Sequence, residues 1–286
     1  MGIVRLVLLG TSAMSKKDPL KTLDARILTQ IQYPSHPKGK TRKAQMKRVR
    51  HEVMGCEACP LQEINGTLPV PFRVEPDVRP SFVVLMEGPG PDDQRTGKAA
   101  SGPVGRQVRA LLKEAGISPY DAMYVNAVAC MPTNNGKTYR QAKKPEIHAC
   151  HGNLMRQLEV AFTPYVLMVG GHVFDIFRSD LTVADNHGRV FIWNDSYVVM
   201  AIEHPEIPSH HPKIVKDLKR WRKVVTGDDD PLKWLGDTCV KCGGHAAMMD
   251  RDGVGYCERD MWKHGNQWRV NRERFDETVV DQLHIF

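Results

Sequence analysis

Nowhere in the 286-residue chain is there a run of the roughly 20 consecutive apolar residues that a membrane-spanning helix needs, so a helical membrane span is excluded. No export leader is expected either. The apolar start from Met1 to Leu9 is interrupted by Arg5, where a signal peptide would be purely hydrophobic. A cytoplasmic, nucleoid-associated location is therefore expected, and Met14-Ser15-Lys16-Lys17 reads as a more ordinary polar start. A phosphate-binding loop is absent: the spacing from Gly90 to Gly97 is wrong for one and Ala99 follows Lys98, which disfavours nucleotide hydrolysis. No internal repeat occurs. Acidic residues are missing between Ala25 and His51, leaving Lys38, Lys40, Arg42, Lys43, Lys47, Arg48 and Arg50 as an undiluted basic run. With a net charge of +7, that run suits a polyanionic partner.

Seven cysteines in a chain without an export signal are read as metal ligands or reactive thiols before disulfides. Their grouping divides the chain. Residues 1–50 form a basic N-terminal arm leading into Cys56-Glu57-Ala58-Cys59, followed by a proline-rich connector through Pro69, Pro71, Pro76 and Pro80. From Ser81, short apolar runs alternate with amphipathic segments, the pattern of βαβ units. Strands are predicted at Phe82–Met86, Met123–Val128, Tyr165–Val169 and Tyr197–Ile202. Helices are predicted at Gly105–Ala115, Pro145–Phe162, His172–Phe177 and Lys213–Val225. The expected fold is a three-layer α/β/α domain over residues 51–226 with a central, mainly parallel four-stranded sheet. Ligand sites in such sheets gather at the carboxyl ends of the strands. A boundary at the acidic turn Gly227-Asp228-Asp229-Asp230-Pro231 separates a small module, 227–286.

The chemistry-bearing residues fall at those strand ends. Glu87-Gly88-Pro89-Gly90 and Asp93 follow the first strand, Asn126 and Cys130 the second, and His204-Pro205-Glu206 the fourth, with Cys150 in the helix between. This ordered set resembles the iron-sulfur uracil-DNA glycosylases, often called family 4. That family carries a Cys-x-x-Cys knuckle, a Gly-Glu-Gly/Ala-Pro-Gly loop, an Asn-x-x-x-Cys strand end, a further Cys and a His-Pro-Ser motif. The likeness covers roughly residues 45–225, and from Glu87 to Cys130 it runs without a gap.

The resemblance implies hydrolysis of the bond between uracil, or a related base, and deoxyribose in DNA by a monomeric base-excision enzyme. It implies a [4Fe-4S] cluster on Cys56, Cys59, Cys130 and Cys150. The base must be flipped into a pocket. Asn126 would read the uracil edge, His204 would stabilise the developing base anion, and Glu87 and Asp93 are the acidic candidates for the sugar cation or the water. Gly88, Gly90 and Ala100 would line the pocket, and Lys43, Lys47, Arg48 and Ile207 would meet DNA, Ile207 as an apolar wedge. Three departures stand out: Met86 for the family's Gly, Ala99-Ala100 for its Pro-Phe, whose ring stacks on the flipped base, and Glu206 for its Ser. They motivate a second reading, a non-catalytic DNA-binding protein of the same fold.

In the C-terminal module, Cys239-x-x-Cys242 with fourteen residues before Cys257 is a zinc spacing, the fourth ligand being His264 or Asp260, with His245 a further choice. Such a zinc ion would be structural. His204-Pro205-Glu206 with Cys239-x-x-Cys242 also imitates the zinc nucleobase deaminase signature. Thr238 in place of the expected proline and the five remaining cysteines speak against that reading.

Overall fold

The computed structural model describes residues 41–75, 78–136, 138–177, 182–193 and 197–228, with two further short strands at Met248–Met249 and Gly255–Tyr256. Its centre is a five-stranded sheet built from β1 (Phe82–Met86), β2 (Ala122–Asn126), β5 (Tyr165–Val169), β6 (Val190–Trp193) and β7 (Tyr197–Ile202). The strand order is β2-β1-β5-β7-β6. The first four strands are parallel, and β6 pairs antiparallel with β7 at the edge. The predicted parallel sheet is present, with one strand more than expected. That extra strand was readable as an apolar run, Val190 to Trp193, just ahead of the turn-forming sequence Asn194-Asp195-Ser196.

Residues of β1, β2, β5 and β7 are buried throughout, as parallel strands covered on both faces must be. Alternation along the strands divides the core into two halves. Phe82, Val84, Tyr124, Tyr165 and Leu167 face α4 (Pro103–Glu114) and α8 (His211–Thr226), where Trp221 stands edge-on to Phe82 and Tyr165 at 6.1 and 6.0 Å. Val83, Leu85, Met123 and Val166 face α5 (Lys144–Ala161), α6 (Gly171–Phe177) and α1 (Arg42–Met54). Helix α4 shows why the sequence folds this way: Pro103 starts it, and Val108, Leu111 and Leu112 form one buried stripe.

The basic segment expected as an arm is, from Arg42 onward, the docked helix α1. Gln45, Val49 and Val53 are buried, Arg50 lies over the Phe72 ring at 4.7 Å, and Glu52 meets Arg48 and Arg156. The boundary placed at residue 50 therefore falls inside a helix. Arg42 donates to the Val78 carbonyl at 2.8 Å, just ahead of β1, so the basic start of α1 lies by the amino edge of the sheet. Lys43 is exposed near that end, and Lys47 and Arg48 are exposed along the helix. Short elements complete the domain: α2 (Leu61–Asn65), α3 (Pro91–Thr96), α7 (Val183–Asn186) and a hairpin of β3 (Thr133–Asn134) and β4 (Thr138–Tyr139). Among the described residues no helix is long and apolar enough to cross a membrane.

Candidate active site

All four parallel strands end on the same edge, and the chain leaves β1 for β2 on one side before returning to β5 on the other. That reversal makes the carboxyl ends of β1 and β5 the natural crevice of the sheet. Glu87 follows β1, Asn126 ends β2 opposite Met86, Gly170 follows β5, and His204 lies two residues beyond β7. The three polar residues proposed from sequence thus reach one edge of one sheet.

Asn126 is 3% exposed, and among the described residues neither its Nδ2 nor its Oδ1 has a hydrogen-bond partner. By strand alternation it shares the face of Ala122 and Tyr124, the side closed by the loop 87–102. A buried amide without partners costs about 1–3 kcal/mol, so a carboxamide left in that state is set to receive a ligand that brings a donor and an acceptor. Two backbone bonds continue the ladder past it, from Ala127 N to the Met86 carbonyl at 2.8 Å and from Val128 N to the Glu87 carbonyl at 3.0 Å. They hold the loop after β1 against the end of β2. Gly88 makes this possible: a Cβ there would come within 2.9 Å of Val128 Cγ2 and 3.1 Å of Pro132 Cδ. Gly90 has open space around it and caps α3.

The two acidic candidates separate. Asp93 is buried, its Oδ1 accepting from Ser101 N at 2.6 Å and Gly102 N at 3.1 Å and its Oδ2 from Gly90 N at 3.4 Å. Burial raises its pKa, against the lowering effect of those amides. The carboxylate is committed to shaping the loop. Glu87 Oε1 accepts from Ala142 N at 2.8 Å. Ala100 is 1% exposed with φ +59, its carbonyl accepting from Arg109, so its methyl is part of the core. It offers no surface to a substrate, which corrects its expected place in the pocket lining.

His204 sits on a short loop closed at its base. Buried Glu203 has His210 Nδ1 at 2.7 Å and Lys213 Nζ at 3.4 Å, while Glu206 N donates to His204 Nδ1 at 3.4 Å and the Glu206 carboxylate is 3.9 Å from the same nitrogen. Ile207, at the crown of this loop, is exposed. Opposite, the β3–β4 hairpin spans the crevice: Ala142 reaches Glu87, and Gln141 contacts His172 at the start of α6. Gly170, Glu203, His210 and the hairpin were not singled out from sequence. The Gly170-Gly171 pair directly after a predicted strand was the available signal for the first.

The cysteines at 56, 59, 130 and 150 are free, with Cys130 and Cys150 buried. Burial first, and then the neighbouring thiols, push Cys130 up to about 12; burial likewise pushes Cys150 up to about 11, with Cys59 and Cys56 adding to it. Each of the two buried thiols thus feels the charge of the Cys56 and Cys59 thiols. Among the described residues no three or more Cys, His, Asp or Glu side chains are set around a single metal-ion position. Cys239, Cys242, Cys257, Asp260, His264 and His245 lie outside the described residues, as does the chain before Thr41.

A mainly parallel α/β sheet that gathers Glu87, Asn126 and His204 at its carboxyl edge has the architecture of a doubly wound α/β protein with a polar crevice there. The chain belongs to the uracil DNA glycosylase superfamily, whose family model matches residues 72–225. It is similar to a type-4 uracil-DNA glycosylase of Thermotoga maritima, 30% identical over 167 residues that cover 58% of this chain and 83% of the relative. It is also similar to the type-4 uracil-DNA glycosylase of Sulfurisphaera tokodaii, 25% identical over 193 residues covering 63% of this chain and 84% of the relative.

Proposed function

We propose that this protein is a DNA repair glycosylase that hydrolyses the N-glycosidic bond of uracil in DNA. The unpartnered, buried carboxamide of Asn126 carries the reading, because the O4 and N3–H edge of uracil supplies the acceptor and donor that it lacks. The base is extruded from the stack to reach it. As the bond from C1′ to N1 breaks, negative charge grows on the base and positive charge on the sugar. His204 stabilises the base anion. Glu87, with Oε1 held by Ala142, faces the sugar cation and orients the water whose oxygen bonds to C1′; the water's proton is passed on and the base leaves as neutral uracil. Asp93 positions the loop rather than taking part in the chemistry.

Four free cysteines, two of them buried, supply the number and kind of ligand that a cubane cluster takes. Cys56, Cys59, Cys130 and Cys150 would hold a [4Fe-4S] cluster that ties the segment after α1 to β2 and α5. A structural zinc on Cys239, Cys242, Cys257 and His264 or Asp260 is proposed from spacing alone. Iron, sulfide and zinc analysis of anaerobically purified protein tests both. For DNA contacts, exposed Lys98, Lys143 and Lys144 flank the crevice, whereas Lys43 starts a helix at the opposite edge of the sheet. Ile207 is exposed as a wedge must be. We take the protein to act as a monomer.

The deciding assay incubates cluster-loaded protein with single- and double-stranded oligonucleotides containing deoxyuridine and then heats them in alkali. Strand cleavage that is lost in Asn126→Ala and His204→Ala supports the glycosylase. Tight binding without abasic sites supports a non-catalytic DNA-binding protein, the reading that the buried Ala100 and the acidic Glu206 keep alive.

A further inference from the structure

The loop after β1 presents no ring to a base. Ala99 and Ala100 are both buried, and α4 is pressed onto them: a Cβ at Gly105 would lie 2.3 Å from the Ala100 carbonyl oxygen. A flat ligand that enters the crevice therefore meets no aromatic face from that side. Charge does not replace it: Glu87 and Glu206 are acidic, and Lys98, Lys143 and Lys144 on the flanks can meet phosphates but offer no flat face to a base.

One aromatic does stand at this opening. Tyr139 is 46% exposed, at the end of β4 and opposite Thr133 in the hairpin ladder. Burial first, and then the carboxylates of Glu87 and Asp93 from the loop after β1 and of Glu206 from the loop after β7, push its hydroxyl up to about 12. The phenol stays neutral at physiological pH. A neutral ring is what an acidic entrance needs, because stacking on a base face requires no positive charge.

The hairpin that carries the ring is also held in place. Arg140 N donates to the Pro132 carbonyl at 3.0 Å, its Nε to the Thr133 carbonyl at 3.0 Å, and its Nη1 to Glu146 Oε2 at 2.8 Å. Three residues on, Ala142 N reaches Glu87. At the far end of the hairpin, Gly136 packs so closely that a Cβ would be 2.6 Å from the Ile64 carbonyl oxygen. A hairpin fastened at its stem, its turn and its exit is a rigid mount, and its exposed tyrosine does not fill the core.

We propose that Tyr139 is the stacking platform of this site, receiving the face of the nucleobase as it enters the crevice toward Asn126. This rests on the glycosylase reading and assigns the stacking role to a residue on the opposite wall from the alanine loop.

The test uses the full-length, cluster-loaded protein and a single-stranded oligonucleotide whose one uridine carries a 2′-fluorine, which resists hydrolysis. A second oligonucleotide has a base-free tetrahydrofuran at the same place. Tyr139→Ala should weaken binding of the uracil oligonucleotide roughly 5- to 100-fold, the usual range for one lost aromatic–base stack, and leave the base-free one unchanged. Tyr139→Phe and Tyr139→Trp should bind both as the wild type does, with unaltered melting temperature and iron content confirming intact hairpins. Equal weakening toward both oligonucleotides, or none toward either, overturns the assignment. If wild-type protein releases no uracil yet Tyr139→Ala shows the base-dependent loss, the glycosylase reading fails while the platform stands.

Discussion

Gly170 and His204 are fitted to each other at the ends of adjacent parallel strands: a Cβ on Gly170 would lie 3.1 Å from His204 Cδ2. The backbone at Gly170 has φ +88, and its N–H donates to the Ile202 carbonyl at 2.9 Å. The imidazole is thus seated against bare backbone.

Gly170→Ala should accordingly act on rate more than on folding. An alanine held at a left-handed φ costs about 1–2 kcal/mol, and its methyl must push the ring aside. Displacing a catalytic group by a fraction of a bond length to an ångström is expected to lower the single-turnover rate on the order of 10²-fold. Rapid-quench kinetics beside thermal melting checks this. A variant with full rate and lowered stability would show that the contact only supports folding.

Asn126 should reveal a trade of stability for function. Replacing it with leucine, of similar size, removes two buried polar atoms that have no partners in the free protein. Folding stability should be unchanged or increased by about 1 kcal/mol or more. Loss of kcat/KM should be on the order of 10²-fold, equivalent to two hydrogen bonds of about 1–1.5 kcal/mol each. Urea melts and base-release assays on one preparation decide it. A marked destabilisation would mean that the amide has a structural task instead.

How far these features were readable from sequence depends on the range of the interactions. Strands β1, β5 and β7 were legible to the residue because burial on both faces writes them as unbroken apolar runs. The places of Asn126 and His204 at strand ends followed from the predicted strands, whereas the roles proposed for them rest on the family resemblance. The role of Asp93 was not legible: acidic residues in a Gly/Pro loop look alike until the amides of Ser101 and Gly102 are seen converging on one of them. Nor was the docking of α1, since five lysines and arginines from Arg42 to Arg50 mask a stripe of Gln45, Val49 and Val53. Tyr139 was not legible either, because the hairpin that carries it is placed by contacts of Ala142 with Glu87 and of Gly136 with Ile64, both far off in the chain.

Glu87 and Asp93 can be told apart by amide substitutions that keep an acceptor oxygen. Glu87→Gln retains the bond from Ala142 and removes only the charge, so kcat should fall roughly 10²-fold or more, as for loss of a catalytic carboxylate. Asp93→Asn retains Oδ1 for Ser101 and Gly102 and should stay within about 10-fold of wild type. Single-turnover rates at saturating DNA provide the comparison. The reverse order would transfer the chemical role to Asp93.

The hairpin mount makes a prediction about pH. Glu146 and Arg140 form a largely buried pair, their side chains 11% and 15% exposed, and Glu146 Oε2 also accepts from Lys143 N at 2.8 Å. Burial alone would raise the Glu146 pKa; the Arg140 hydrogen bond, the Lys143 amide and the two positive charges outweigh it and leave the pKa lowered. A carboxylate with a lowered folded-state pKa contributes stability that is fully present above its unfolded value, about 4.3, and is lost as pH falls through the folded value. Glu146→Gln should therefore be less stable than wild type by about 1.5–3 kcal/mol near neutrality, the worth of hydrogen bonds to a charged group. The gap should close below about pH 4 and vanish once the wild-type carboxyl is protonated. Urea melts of both proteins across that window read it directly, and because Arg140 follows Tyr139, the same variant should loosen binding of a uracil oligonucleotide at neutral pH. A stability gap that does not change with pH would place the contribution of Glu146 in packing and not in its charge.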